Sequence, residues 1–314
     1  MRSVGPPPAD GELRPLFIAM HGGGGVPQHV NDSQWRVMQR YYRDQESVGG
    51  YLYLALRAPN DTWNGFYDDQ ISPLVERLVR QFLLFSEVDP DRVYLLGYSH
   101  GGYGAFAIGP KVPHRFAAVH SSAAAPTDGQ SSPVNLRNTR FTYMIGEHDH
   151  AYGRLERCRA FDAAVAALRG ERADVYPVTM EYRAGHGHGG LPDRDKIGDL
   201  ADAVRDPVPA ELSWELTDSV VRDFFWLAVD APARGRRIDA VCRDNRVEVE
   251  TRGPGSLALL LDARLVDFAR PVTVVLGERT LELELRPSLR TLCESLLERG
   301  DPGLAYTARV ALEP

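Results

Sequence analysis

The sequence predicts an α/β protein, a parallel sheet flanked by helices and followed by a smaller β-rich module. Three observations predict it. Short apolar runs alternate with amphipathic segments from residue 16 to about 226. Those runs are apolar on both faces, as strands covered by helices on each side must be. Beyond Asp230 the pattern changes to short alternating strands with hairpin-like turns between them.

The elements follow in order. Residues 1–15 are rich in Pro and Gly and read as irregular. "LFIAM" (16–20) is a buried strand ending in glycines, and "NDSQWRVMQRYYRD" (31–44) is a helix opened by capping residues. "YLYLALR" (51–57) is a strand, and a loop rich in Pro, Asn, Asp and aromatics follows it. "SPLVERLVRQFLLF" (72–85) is a helix with Ser at its cap and Pro in its first turn. "RVYLLGY" is a strand that runs into a glycine-flanked serine, and a helix starts there. "RFAAVHSSA" (115–123) and "RFTYMIG" (140–146) are strands, "RLERCRAFDAAVAALRG" (154–170) is a helix closed by glycine, and "YPVTMEYRAG" (176–185) is a strand. A last helix is expected from Leu212 to Trp226. This makes six parallel strands in a first domain, 1–229. A β-rich, sandwich-like module, 230–314, joins it at "DAPARGR" and carries one helix, "SLRTLCESLLERG".

The chain has 314 residues and a net charge of −7, which argues against nucleic acid and anionic membranes as partners. It has no apolar run long enough to cross a membrane and no signal-peptide core. A cytoplasmic location is expected unless the N-terminus has been trimmed. The first strand begins almost at once, as in a shortened chain. Cys158, Cys242 and Cys293 are far apart, form no C-x-x-C motif and are expected to be reduced.

The chemistry centres on Gly97-Tyr98-Ser99-His100-Gly101, a G-x-S-x-G run between a strand and a helix. A tight turn there strains the serine backbone, pushes its hydroxyl outward and aims the helix N-terminus at it. Ser99 is therefore expected to be a nucleophile, with a structural turn serine as the bland alternative. Where such a turn serves catalysis, an acid and then a histidine follow, each after a later strand. Gly146-Glu147-His148-Asp149 offers Asp149 as the acid; Glu147 stands nearer the strand end, and Asp128 is a weaker alternate. In Gly185-His186-Gly187-His188 the G-x-G-H pattern selects His188, with His186 as the alternate base. The oxyanion donors are expected to be the amide of His100 and those of Gly23 and Gly24 in "HGGGG". That glycine run lacks the spacing of a dinucleotide or phosphate loop. The pairs His148/His150 and His186/His188 invite a metal, but neither has i, i+4 spacing, so neither a metal nor any cofactor is expected. Tyr98, Trp63, Phe66 and Tyr103 are candidates to line the substrate site, with packing beneath the loops as their plain alternative.

With these residues in place, the chain resembles the α/β-hydrolase superfamily. Within it, the likeness is to the polyhydroxybutyrate depolymerase, feruloyl esterase and prolyl-oligopeptidase-like group. The resemblance rests on "LFIAMHGGGG", "DRVYLLGYSHGGYGAFAIGPKVPHRFAAV", "GEHD" and "GHGHGGLP" and covers roughly residues 14–228. It implies a serine hydrolase that cleaves carboxylic esters through an acyl-enzyme, on small-molecule or polymeric substrates. A peptidase, an acyltransferase and a non-catalytic binding protein are the alternatives. Two departures stand out. The family usually has one or two strands before the "HGGGG" strand, and the sequence shows no room for them. The β module is not part of the family core.

Overall fold

The computed structural model describes residues 1–313, which divide into two compact units, 1–205 and the residues from 206 on. The first unit is built on a seven-stranded sheet. Its strands are β1 (Arg2–Val4), β2 (Arg14–Met20), β3 (Tyr51–Leu56), β4 (Val88–Tyr98), β5 (Ala118–Ser122), β6 (Arg140–Gly146) and β7 (Val178–Arg183). They lie in the order β1-β3-β2-β4-β5-β6-β7. All neighbours from β3 to β7 pair in parallel, and β1 alone is antiparallel. The helices between them are α1 (Gln28–Met38), α2 (Ile71–Phe85), α3 (His100–Lys111), α4 (Arg154–Arg169) and α5 (Lys196–Leu200). β2 and β4 are buried on both faces along their apolar runs, which is why they carry no polar alternation. Every residue of α3 is buried, so this helix has the small, apolar composition of a core element, "HGGYGAFAIGPK".

The expectation of an irregular N-terminus and six strands is corrected by β1. Arg2, Ser3 and Val4 pair with Tyr53, Leu52 and Tyr51 and cap the edge of β3. Three residues are too few to show a period, and their partners lie some fifty positions away.

The second unit holds two sheets. One has the order β15-β14-β12-β11-β8 and the other β16-β13-β10-β9. These strands are β8 (Glu211–Glu215), β9 (Asp223–Phe224), β10 (Leu227–Ala228), β11 (Arg237–Arg243), β12 (Arg246–Arg252), β13 (Leu257–Leu261), β14 (Val272–Leu276), β15 (Arg279–Leu283) and β16 (Ala308–Leu312), with α6 (Leu289–Arg299) between the last two. Both sheets feed one core that contains Trp214, Trp226, Ile238, Val247, Leu259 and Val310.

This unit corrects two expectations. The helix expected from Leu212 to Trp226 is instead β8 and β9, with β10 directly after it. Leu212, Trp214 and Leu216 alternate with Ser213 and Glu215, a period of two, and β8 pairs with β11 through Leu212–Ala240 and Trp214–Ile238. The boundary therefore falls at Arg205/Asp206 rather than near Asp230, because residues 211–228 pair only within the second unit. No helix among the described residues is long and apolar enough to cross a membrane.

Candidate active site

Ser99 stands between β4 and α3 with φ 54° and ψ −113°, in the positive-φ region that residues with a side chain rarely occupy. Such a conformation costs of order 1–3 kcal/mol and persists only where its surroundings hold it. Here the Ser99 amide donates to the Ser122 carbonyl at 2.8 Å, and the Tyr103 amide donates to the Ser99 carbonyl at 3.0 Å. The crossing is tight. A Cβ on Gly97 would lie 2.0 Å from the Gly101 carbonyl oxygen, and one on Gly101 would lie 2.2 Å from that of Met20. Neither position admits a side chain, which is the physical content of the flanking glycines.

The turn presents the Ser99 Oγ to His188 Nε2 at 3.0 Å, and His188 Nδ1 lies 2.8 Å from Asp149 Oδ2. Asp149 is 2% exposed. Its other oxygen, Oδ1, accepts from Arg154 Nη1 at 2.7 Å, and Arg154 Nε donates to the Tyr103 hydroxyl at 3.0 Å. Burial by itself raises the proton affinity of Asp149. The hydrogen bonds and charges of His188 and Arg154 outweigh it and hold the carboxyl below its ordinary value.

The structure separates the alternates from this chain of contacts. His186 is half-buried, and its Nδ1 lies 3.0 Å from the Ala184 carbonyl. Glu147 accepts the Gly185 amide at 2.7 Å and so ties the loop after β6 to the loop after β7. Asp128 pairs with Arg157 on the surface. His148 and His150 are exposed beside Glu147 and Glu156. Among the described residues no group of three or more His, Cys, Asp or Glu is arranged to hold a metal ion.

The glycine loop after β2 abuts the serine, since a Cβ on Gly22 would lie 3.4 Å from that of Ser99. Gly23 and Gly24 have φ of 115° and 106°. The Gly24 amide already donates to Asn31 Oδ1 at 3.0 Å, and Asn31 Nδ2 returns bonds to the carbonyls of Gly24 and Val26. Gly24 is thus removed as a donor to substrate. The amides of Gly23 and His100 have no hydrogen-bond partner among the described residues. The ring of His100 is buried, and its Nε2 donates to the Trp63 carbonyl at 3.0 Å. Burial, with a smaller contribution from His21, brings its pKa down to about 4, so the imidazole is neutral and adds no charge beside Ser99.

Of the four expected substrate-lining aromatics, two are corrected, because Phe66 and Tyr103 are buried. The Tyr98 hydroxyl donates to the His188 carbonyl at 2.6 Å and holds the histidine loop. Phe66 is buried against the rings of His21 and His100. Tyr103 is buried under Arg154. Trp63 is exposed, and Tyr98 is half-buried. Sequence reasoning missed Asn31, Tyr152 and Arg154. Arg154 lies five residues beyond Asp149, on the first turn of α4, and its spacing was the one available signal.

No family model matches the chain, and no curated protein matches it. Among solved structures it is similar to a thermostable esterase, at 16% identity and a TM-score of 0.46, over 64% of this chain. The chain spans only 58% of that esterase. It is also similar to an S-formylglutathione hydrolase from Agrobacterium tumefaciens, at 19% identity and a TM-score of 0.45, over 64% of this chain and 88% of the other. A poly(3-hydroxybutyrate) depolymerase from Bordetella parapertussis is similar at 18% identity and a TM-score of 0.41, over 60% and 85% of the two chains. The sheet order and the serine turn after β4 give the first unit the α/β-hydrolase fold.

Proposed function

We propose that the chain is a serine hydrolase of carboxylic esters. The observation that carries this reading is the hydrogen-bonded chain Ser99–His188–Asp149 on a strained strand-to-helix turn. In this reading the Ser99 Oγ attacks the ester carbonyl carbon while His188 Nε2 takes its proton. Asp149 holds the Nδ1–H and stabilises the imidazolium. The carbonyl oxygen becomes an oxyanion and takes the His100 and Gly23 amides, each worth about 2.7–4 kcal/mol of barrier. His188 then returns the proton to the alcohol oxygen, the C–O bond breaks, and an acyl-serine remains. Water, deprotonated by the same imidazole, attacks the acyl carbon, releases the carboxylic acid and restores Ser99.

The test is hydrolysis of p-nitrophenyl esters from C2 to C12 by the protein and by Ser99→Ala, with fluorophosphonate labelling alongside. Turnover that falls by three or more orders of magnitude in Ser99→Ala, with label found on Ser99, is the expected result. Labelling without ester turnover would move the reading to amide substrates. An unlabelled Ser99 would leave a binding protein on the same fold.

A further inference from the structure

Trp63 and Tyr152 are the two large aromatics on the open side of this site, 43% and 67% exposed. Their rings are 5.4 Å apart at 41°, so they form one continuous surface. Trp63 lies directly on the glycine loop. A Cβ on Gly24 would come within 2.9 Å of its Cε3, so the bare backbone there is what lets the indole settle. Its carbonyl holds the ring of His100, the residue after Ser99. Tyr152 follows Asp149 by three positions and has φ 58° and ψ 21°, a left-handed backbone that a bulky residue seldom adopts. The guanidinium of Arg154 lies 5.0 Å from its ring centroid. A strained backbone and a buried cation thus hold a tyrosine outward, where its ring gains little from burial. Such an outlier points to a role in binding.

We propose that Trp63 and Tyr152 form a platform that selects esters carrying a planar aromatic ring. The proposal rests on the ester-hydrolase reading and adds the substrate class to it. The polar groups around the platform favour an aryl group over a sugar. Thr62 Oγ1 bonds to Asn60 and Asn64, Asn64 Nδ2 bonds to Asp68, and Arg157 bonds to Asp128. These groups satisfy one another, whereas a carbohydrate ring needs directional partners for its hydroxyls. A flat π-face needs only stacking.

The experiment measures kcat/KM for methyl 3-phenylpropanoate, methyl 3-cyclohexylpropanoate and methyl hexanoate. 2-Phenylethyl acetate against hexyl acetate tests a ring on the alcohol side, and glucose pentaacetate tests the sugar. The protein should prefer a phenyl ester over its non-aromatic counterpart on at least one side. Trp63→Ala and Tyr152→Ala should each reduce that preference, by roughly ten-fold in the double variant. Trp63→Phe and Tyr152→Phe should keep it within about three-fold. Should Trp63→Ala not fold, Tyr152→Ala carries the test, because that side chain is mostly in solvent. Methyl hexanoate turned over with no phenyl preference would overturn the platform and leave the hydrolase reading intact. So would a preference that survives both alanine substitutions, one shared by the cyclohexyl ester, or one for the sugar ester. No turnover together with no fluorophosphonate label on Ser99 would overturn both.

Discussion

Asp149 accepts from two cationic or potentially cationic groups at once, His188 at one oxygen and Arg154 at the other. Arg154 is buried, and its head is fixed by Asp149 and Tyr103 together. In the proposed reaction it touches no reacting atom and would act as a positioning residue. Replacing it by methionine leaves a buried carboxylate with one partner fewer, at a cost of about 3 kcal/mol in stability. The substitution also removes a positive charge on the far side of Asp149 from His188, and an imidazolium formed there would be better stabilised. The acid limb of kcat/KM against pH should therefore move to higher pH in Arg154→Met, by about one unit. Arg154→Lys should recover part of the shift. A loss of stability with an unmoved acid limb would reduce Arg154 to a structural role. The contacts that join Ser99, His188 and Asp149 were legible because a tight strand-to-helix turn and the loops that meet it leave glycine-rich marks next to strand ends. Arg154 and Asn31 were not. Each is one polar residue on an ordinary helix, and its importance lies in a contact that only the fold creates.

Helix α3, which follows the Ser99 turn, is anchored at its far end. Past that end, His114 and Arg115 both meet Glu76 of α2, at 3.2 Å and 3.0 Å. Burial alone would raise the pKa of Glu76. The hydrogen bond from His114 and the charge of Arg115 more than reverse this and bring it to about 2, from its usual 4.5. A folded-state value below the unfolded one stabilises the protein above the unfolded pKa. That gain is lost as pH falls through the folded value. Glu76→Gln should therefore cost about 3 kcal/mol at pH 7. Thermal unfolding measured from pH 7 to pH 2 should show the deficit shrinking below about pH 4.5, the usual carboxyl range. A deficit independent of pH would mean that packing, not charge, holds this corner. At this scale the long elements α2, α4 and α6 were readable from their apolar stripes. The errors fell on β1 and on residues 212–226, where strands of two to five residues take their stability from partners distant in sequence.

Over the whole chain the two units each close their own core, and the shift in composition near Asp230 located the second only approximately. The pairing of β8 with β11 moves its start back to Asp206. Residues 211–228 did not announce a β module, because their strands, two to five residues long, are too short to show a period of their own. The three cysteines sample both units. Cys158 is buried on α4 in the first, Cys242 is buried on β11 in the second, and Cys293 is exposed on α6. Burial pushes the Cys158 thiol up to about 12 and that of Cys242 up to about 11, while the thiolate is the species that reacts. In native buffer at pH 8 a disulfide-exchange reagent should therefore modify one thiol per chain rapidly, at Cys293, and all three in full denaturant. Mass mapping along a urea series should then show Cys158 reporting on the opening of the first unit and Cys242 on that of the second. Rapid native modification of either buried cysteine would contradict the packing around that residue. Two distinct urea midpoints would mean that the units unfold as separate cooperative blocks, and a shared midpoint that they unfold as one.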